Sequence, residues 1–189
     1  NSSWEPRNYD EKYAGPMRLR EALAQSKNTI SIRLMNAIGA RYAQNYLRKF
    51  GFNPKDHPPY LSTALGAGST TSWQLAAAYA TFANSGYQVH PYLIEKITDS
   101  RDKVVMAVQP GKHVSQERVI DQRNAFIMTT MLQDVVRDGT ARAALSLRRP
   151  DIAGKTGTTN DQFDAWFAGY HPKEVAVAWM GYDNPHNLG

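Results

Sequence analysis

Lys155-Thr156-Gly157-Thr158-Thr159, set between a short apolar run and a second one rich in aromatics, is the stretch whose reading decides the fold. A lysine, two hydroxyls and a glycine on consecutive extended positions make a cationic strand edge that can line up against a carboxylate-bearing peptide. Residues two apart on a strand point the same way, so Thr156 and Thr158 share a face. The same letters contain Gly154-Lys155-Thr156, the tail of a phosphate-cradling loop. That loop needs a glycine five places before Gly154 to bend its amides around a phosphate, and Arg149 stands there, so nucleotide binding is set aside.

Outward from this strand, extended runs at 151–158, 165–170 and 175–182 are joined in part by the turn His171-Pro172-Lys173-Glu174, which predicts an antiparallel sheet ending in a hairpin. Asp161 and Asp164 flank the motif strand as turn formers. Upstream, Asp121 caps a helix carrying Phe126, Met128, Leu132 and Val135 that Gly139 closes, followed by a short helical piece at 140–145. Strand-like runs at 92–98 and 104–108 are joined by Asp99-Ser100-Arg101-Asp102. Thr71-Ser72-Trp73-Gln74 reads as a capping box leading a helix to about Asn84, apolar on nearly every face and therefore expected to be buried. Leu65-Gly66-Ala67-Gly68-Ser69 fails the dinucleotide spacing because Thr71 takes the third glycine's place, and no cofactor role is assigned to it.

The first fifty residues read as a polar lead-in, a helix opened by Gly15-Pro16 and running to Ala24, a second ended by Gly39, and a third stopped by Gly51. Ser26-Lys27-Asn28 interrupts the periodicity. It places Ser26 and Asn28 on a tight connection between helices, a position from which polar groups project on rigid supports. Helices before and between antiparallel strands predict an α+β fold, an antiparallel sheet flanked by helices.

Composition bounds the function. The chain has 189 residues, 42% of them hydrophobic, a net charge of +5 and a pI near 9.4. Its basic residues are scattered as singles and pairs with no nucleic-acid-binding signature, so a solvated basic surface is read rather than a nucleic-acid partner. There is no cysteine, and the five histidines show no pairing at ligand spacing, so no disulfide and no metal site is expected. Trp4, Trp73, Trp166 and Trp179 are expected in the core or on a groove wall. The start Asn1-Ser2-Ser3-Trp4-Glu5 resembles neither a signal peptide nor a translation start, which leads to the expectation of an upstream segment.

Ser26-x-Asn28 and Lys155-Thr156-Gly157-Thr158, together with Tyr13-Ala14-Gly15-Pro16, the segment at 19–28, the alanine-rich helix at 75–84 and Ala165-Trp166-Phe167-Ala168-Gly169-Tyr170, resemble the penicillin-binding proteins. These are the serine D,D-transpeptidases that cross-link peptidoglycan, and the likeness is to the bifunctional class A enzymes of the 1A type. It implies a penicillin-binding protein and β-lactamase-like transpeptidase fold, incomplete at its N-terminal side, with 1–189 forming a partial transpeptidase domain. The family's nucleophile is the serine of an S-x-x-K placed before the S-x-N. The match Ser100-Arg101-Asp102-Lys103 follows Ser26 and lies in an exposed turn, which cannot desolvate the lysine, so the nucleophile is expected upstream of Asn1 and the chain alone is expected to be inactive.

The resemblance also implies roles. Ser26 relays a proton to the departing D-alanine amine beside cationic Lys155, and Asn28 holds the substrate's peptide amide and orients the upstream lysine. Thr156 and Thr158 bind the terminal carboxylate, the Thr158 backbone N–H supplies half of the oxyanion hole, and Gly157 lets substrate backbone approach. Implied partners are peptidoglycan stem peptides, β-lactam antibiotics and the upstream segment that carries S-x-x-K. No cofactor and no nucleic acid is implied. The setting is the periplasmic side of the inner membrane, with a membrane anchor and a glycosyltransferase domain ahead of this region in the parent protein. Two other readings stay open on the sequence: a D,D-carboxypeptidase or β-lactamase-like hydrolase, and a non-catalytic module that binds peptidoglycan or a partner. A chain without the family's first strands is also expected to leave apolar surface uncovered and to associate.

Overall fold

A computed structural model describes residues 4–109, 111–159 and 162–189. Three strands, β5 (Ala153–Thr158), β6 (Asp164–His171) and β7 (Glu174–Gly181), form an antiparallel sheet in the order β5-β6-β7. Lys155 stands opposite Ala168, which stands opposite Val177, and Gly157 pairs with Trp166, which pairs with Trp179. Helices α4 (Ser72–Ala83) and α5 (Gln122–Arg137) lie against this sheet. The core between them consists of Leu132, Val135 and Val136 of α5 with Ala141, Ile152, Ala153 and Tyr170, and Tyr79 and Phe82 of α4 pack against it. Burial pushes the Tyr79 and Tyr170 phenols up to about 12, and the Tyr170 hydroxyl is satisfied by Thr129 Oγ1 at 2.8 Å.

Elements with local signals form where expected. Thr71 and Gln74 make the reciprocal capping box, and the Asp121 carboxylate accepts from the Arg123 N–H at the start of α5. Helices α2 (Asn28–Ile38) and α3 (Ala40–Leu47) end at Gly39 and, after a 3-10 turn, at Gly51, both with positive φ.

Helix α1 spans Leu19–Ala24, three residues later than Pro16 suggested, because Gly15 takes φ +75 and Arg18 is extended. The run at 92–98 contributes only β2 (Lys96–Thr98), paired with β3 (Val104–Ala107), and this hairpin is exposed on both faces. A further pair, β1 (Tyr87–Val89) with β4 (Val114–Arg118), forms without a clear alternating pattern in its sequence. Only Ala78 and Thr81 of α4 are fully buried, so the helix is half-buried rather than enclosed. Trp4, Trp73 and Trp179 are exposed, and the Trp166 and Trp179 rings pair at 5.9 Å on the sheet. Asp164 begins β6 and accepts from the Trp179 indole at 2.8 Å instead of serving only as a turn former, and Asp161 lies outside the described residues.

Candidate active site

Ser26 owes its position to the way α1 ends. The Lys27 N–H reaches back to the Ala22 carbonyl at 2.9 Å and the Ser26 N–H to Leu23 at 3.1 Å, the paired bonds of a Schellman cap. Such a cap needs one residue in the left-handed region, a place that favours glycine, and Ser26 occupies it with φ 54. A serine there costs on the order of 1 kcal/mol, and the strain falls on the residue whose hydroxyl faces Lys155.

The end of α1 is fastened to the end of α5. The Thr140 N–H donates to the Ala24 carbonyl at 3.1 Å, and Arg20 reaches Asp134 at 2.5 Å and Thr130 Oγ1 at 3.0 Å. Gly139 permits the approach, since a Cβ there would stand 2.2 Å from the Ala24 oxygen. Strand β5 packs on the same helix, and Lys155 points across to Ser26. Its ammonium donates to Ser26 Oγ at 2.9 Å and to the Thr156 carbonyl at 2.9 Å. Burial lowers the Lys155 pKa, and no carboxylate pairs with it among the described residues. The result is a half-buried cation beside a hydroxyl, an arrangement suited to an anion and to proton transfer.

The remaining expected residues fall around this pair. Thr156 Oγ1 lies 2.5 Å from Thr140 Oγ1. Thr158 is exposed at the end of β5, opposite Ala165. A Cβ at Gly157 would stand beside its cross-strand partner Trp166 on the same face of the sheet, 3.3 Å from that residue's Cβ. Asn28 is the first residue of α2 rather than part of the connection, and its Nδ2 donates to the Arg7 carbonyl at 3.0 Å. Ser26, Lys155 and Thr156 are thus brought together by direct bonds or sequence adjacency, whereas Asn28 is tied to the lead-in.

Two residues of the neighbourhood were not singled out by sequence. Thr140 bridges Ala24 and Thr156, but its only sequence signal is its place after the helix-ending Gly139. Asn8 is buried, and its Oδ1 accepts from the Thr29 N–H at 3.2 Å and Oγ1 at 3.1 Å. It thereby caps α2, whose own N-cap Lys27 offers no side-chain bond; Lys27 instead pairs with Asp10 at 2.6 Å. The turn containing Ser100 is exposed and remote in sequence from this cluster.

The sequence matches the penicillin binding protein transpeptidase domain over residues 1–187. It is 51% identical over 191 residues to penicillin-binding protein 1A of Neisseria lactamica, covering 100% of this chain and 24% of that protein. It is 39% identical over 232 residues to penicillin-binding protein 1A of Pseudomonas aeruginosa, covering 98% of this chain and 28% of that protein. The chain therefore spans about a quarter of the length of these relatives. The crystal structure of penicillin-binding protein 1A from Haemophilus influenzae superposes with a TM-score of 0.88 at 33% identity, covering 97% of this chain and 32% of that one. The structure of PonA1 from Mycobacterium tuberculosis in complex with penicillin V gives 0.73 at 26% identity, covering 95% of this chain and 52% of that one. With its mixed helices and antiparallel sheet, the chain belongs to the penicillin-binding protein transpeptidase domain family.

Proposed function

We propose that the protein carrying this chain is a peptidoglycan D,D-transpeptidase, and that this region supplies the proton relay and the carboxylate-binding strand while an upstream segment supplies the S-x-x-K nucleophile. The observation that carries the reading is the 2.9 Å bond from Lys155 to Ser26, which joins the two motifs of the family at one point. The upstream serine attacks the carbonyl of the D-alanyl-D-alanine bond. Its proton passes through the Ser26 hydroxyl to the departing D-alanine nitrogen, leaving an acyl-enzyme and free D-alanine. An amine of a neighbouring strand then attacks the ester and releases the serine.

Lys155 polarises the Ser26 hydroxyl and attracts the substrate's terminal carboxylate, which Thr156 and Thr158 hold by hydroxyl donation. Strand β5 is an edge of the three-stranded sheet, so its outer backbone groups are available to an extended peptide adding alongside, with the Thr158 N–H as one donor to the oxyanion. Asn28, released from Arg7 or through its remaining amide atoms, contacts the substrate amide and the upstream lysine. β-Lactams enter the same site as mimics of the stem-peptide terminus, a proposal in keeping with the penicillin V complex of the PonA1 structure. Among the described residues no helix is long and apolar enough to cross a membrane. The membrane anchor is assigned to the parent protein outside this region, with the domain on the periplasmic side.

Product analysis tests the reaction. The full-length protein, given a stem peptide ending in D-alanyl-D-alanine and an added amine, is expected to release D-alanine and form the amide of that amine. Release of D-alanine with water as the only acceptor would replace the transferase with a carboxypeptidase. No turnover and no acyl-enzyme would leave a binding module.

A further inference from the structure

Thr140 joins both halves of the site, and nothing in the mechanism above uses it. Its N–H holds the Ala24 carbonyl, two residues before Ser26, while its hydroxyl lies 2.5 Å from that of Thr156, next to Lys155. The first bond fixes the backbone of Thr140, so the second is made from a held position. Gly139 makes this geometry possible, because any side chain there would push α1 away.

The shared bond between two hydroxyls can contain only one of their two protons. If Thr156 donates to Thr140, Thr156 offers the cleft lone pairs and repels an anion. If Thr140 donates, the Thr156 proton is free to point outward at a carboxylate, in the field of Lys155. Resting on the functional reading above, we infer that Thr140 is a positioning residue: in the ligand-bound site it donates to Thr156 Oγ1 and thereby leaves Thr156 as a proton donor to the substrate's carboxylate. It acts through Thr156 and does not itself touch the reacting atoms.

The experiment compares two thioester acyl donors on the full-length protein, identical except that one ends in a free carboxylate and the other in the corresponding amide. Thr140→Val keeps the backbone bond to Ala24 and the side-chain shape but removes the donor. The Thr156 hydroxyl then loses the bond that aims and polarises it, so acylation by the carboxylate donor is expected to slow about tenfold while the amide donor is unchanged. Thr140→Ser is expected to restore the preference. In a Thr156→Val background, Thr140→Val is expected to change the carboxylate-to-amide ratio no further.

An equal fall for both donors would overturn the inference and leave Thr140 as a spacer. An unchanged ratio, or full additivity with Thr156→Val, would overturn it as well. These outcomes are distinct from failure of the functional reading, in which the unsubstituted protein forms no acyl-enzyme with either donor.

Discussion

Lys155 Nζ stands 2.9 Å from Ser26 Oγ although 129 positions of chain separate the two residues. Neither residue reaches the other by local structure alone. Ser26 is presented by the cap of α1, Lys155 by strand β5, and α5 with the Gly139-Thr140 corner carries both. The separation is therefore a property of the α1–α5 contact, and disturbing that contact should disturb the chemistry.

Gly139→Ala tests this dependence. The new methyl would stand 2.2 Å from the Ala24 oxygen and 2.8 Å from the Val135 Cα, both backbone atoms that cannot rotate away. We expect a loss of about 1–3 kcal/mol of stability, typical of overpacking, read as a lower midpoint in chemical denaturation. Acylation should slow with it. An unchanged midpoint would mean that α1 does not pack on α5 as described.

The legibility of this protein in its sequence divides by range. Caps and helix stops were readable because they are local: Thr71 with Gln74, Asp121, Gly39 and Gly51 each act within one turn. The three-stranded sheet was readable from its apolar runs and the turn at 171–174. The start of α1 was misplaced because Pro16 permits a helix without requiring one. The β1–β4 pair was missed because each strand is short and the register shifts between Tyr87 and Val89. At the site, the motifs singled out Ser26, Asn28 and Lys155. Thr140 and Asn8 could not be found, since each acts on a residue 16 or 21 positions away and carries no motif of its own.

Asn8 supplies from a distance the cap that α2 lacks at Lys27. Asn8→Ala should cost about 1 kcal/mol, the usual effect of removing an N-cap side chain. Thermal unfolding monitored by circular dichroism is expected to show a lower Tm, and an unshifted Tm would remove the capping role.

Thr81 is fully buried in α4, and its hydroxyl has no hydrogen-bond partner among the described residues. A buried unsatisfied hydroxyl is costly, while valine has nearly the same shape. Thr81→Val should therefore stabilise the protein by about 1 kcal/mol. A lower denaturation midpoint in the variant would show that the hydroxyl is satisfied.

The half-buried Lys155 amine gives stability a pH dependence of known sign. Its folded-state pKa lies below the ordinary value of 10.5, so between the two values the unfolded chain binds more protons. Stability due to this group accordingly rises with pH through that interval, and the penalty of burying the charged form is greatest below it. Lys155→Met removes the penalty. Its stability advantage over the unsubstituted protein should be largest near neutral pH and shrink as pH approaches 10.5; an advantage that grows with pH would contradict this sign.

The most direct test of the account is the rate at which a fluorescent penicillin acylates the full-length protein with Ser26 and Lys155 replaced singly and together. The single variants Ser26→Ala and Lys155→Ala should each slow labelling about 100-fold or more, the range of general acid–base assistance, and the double variant should be little slower than the worse single one, because the two act as a unit. Labelling at the unsubstituted rate in the double variant would contradict the account.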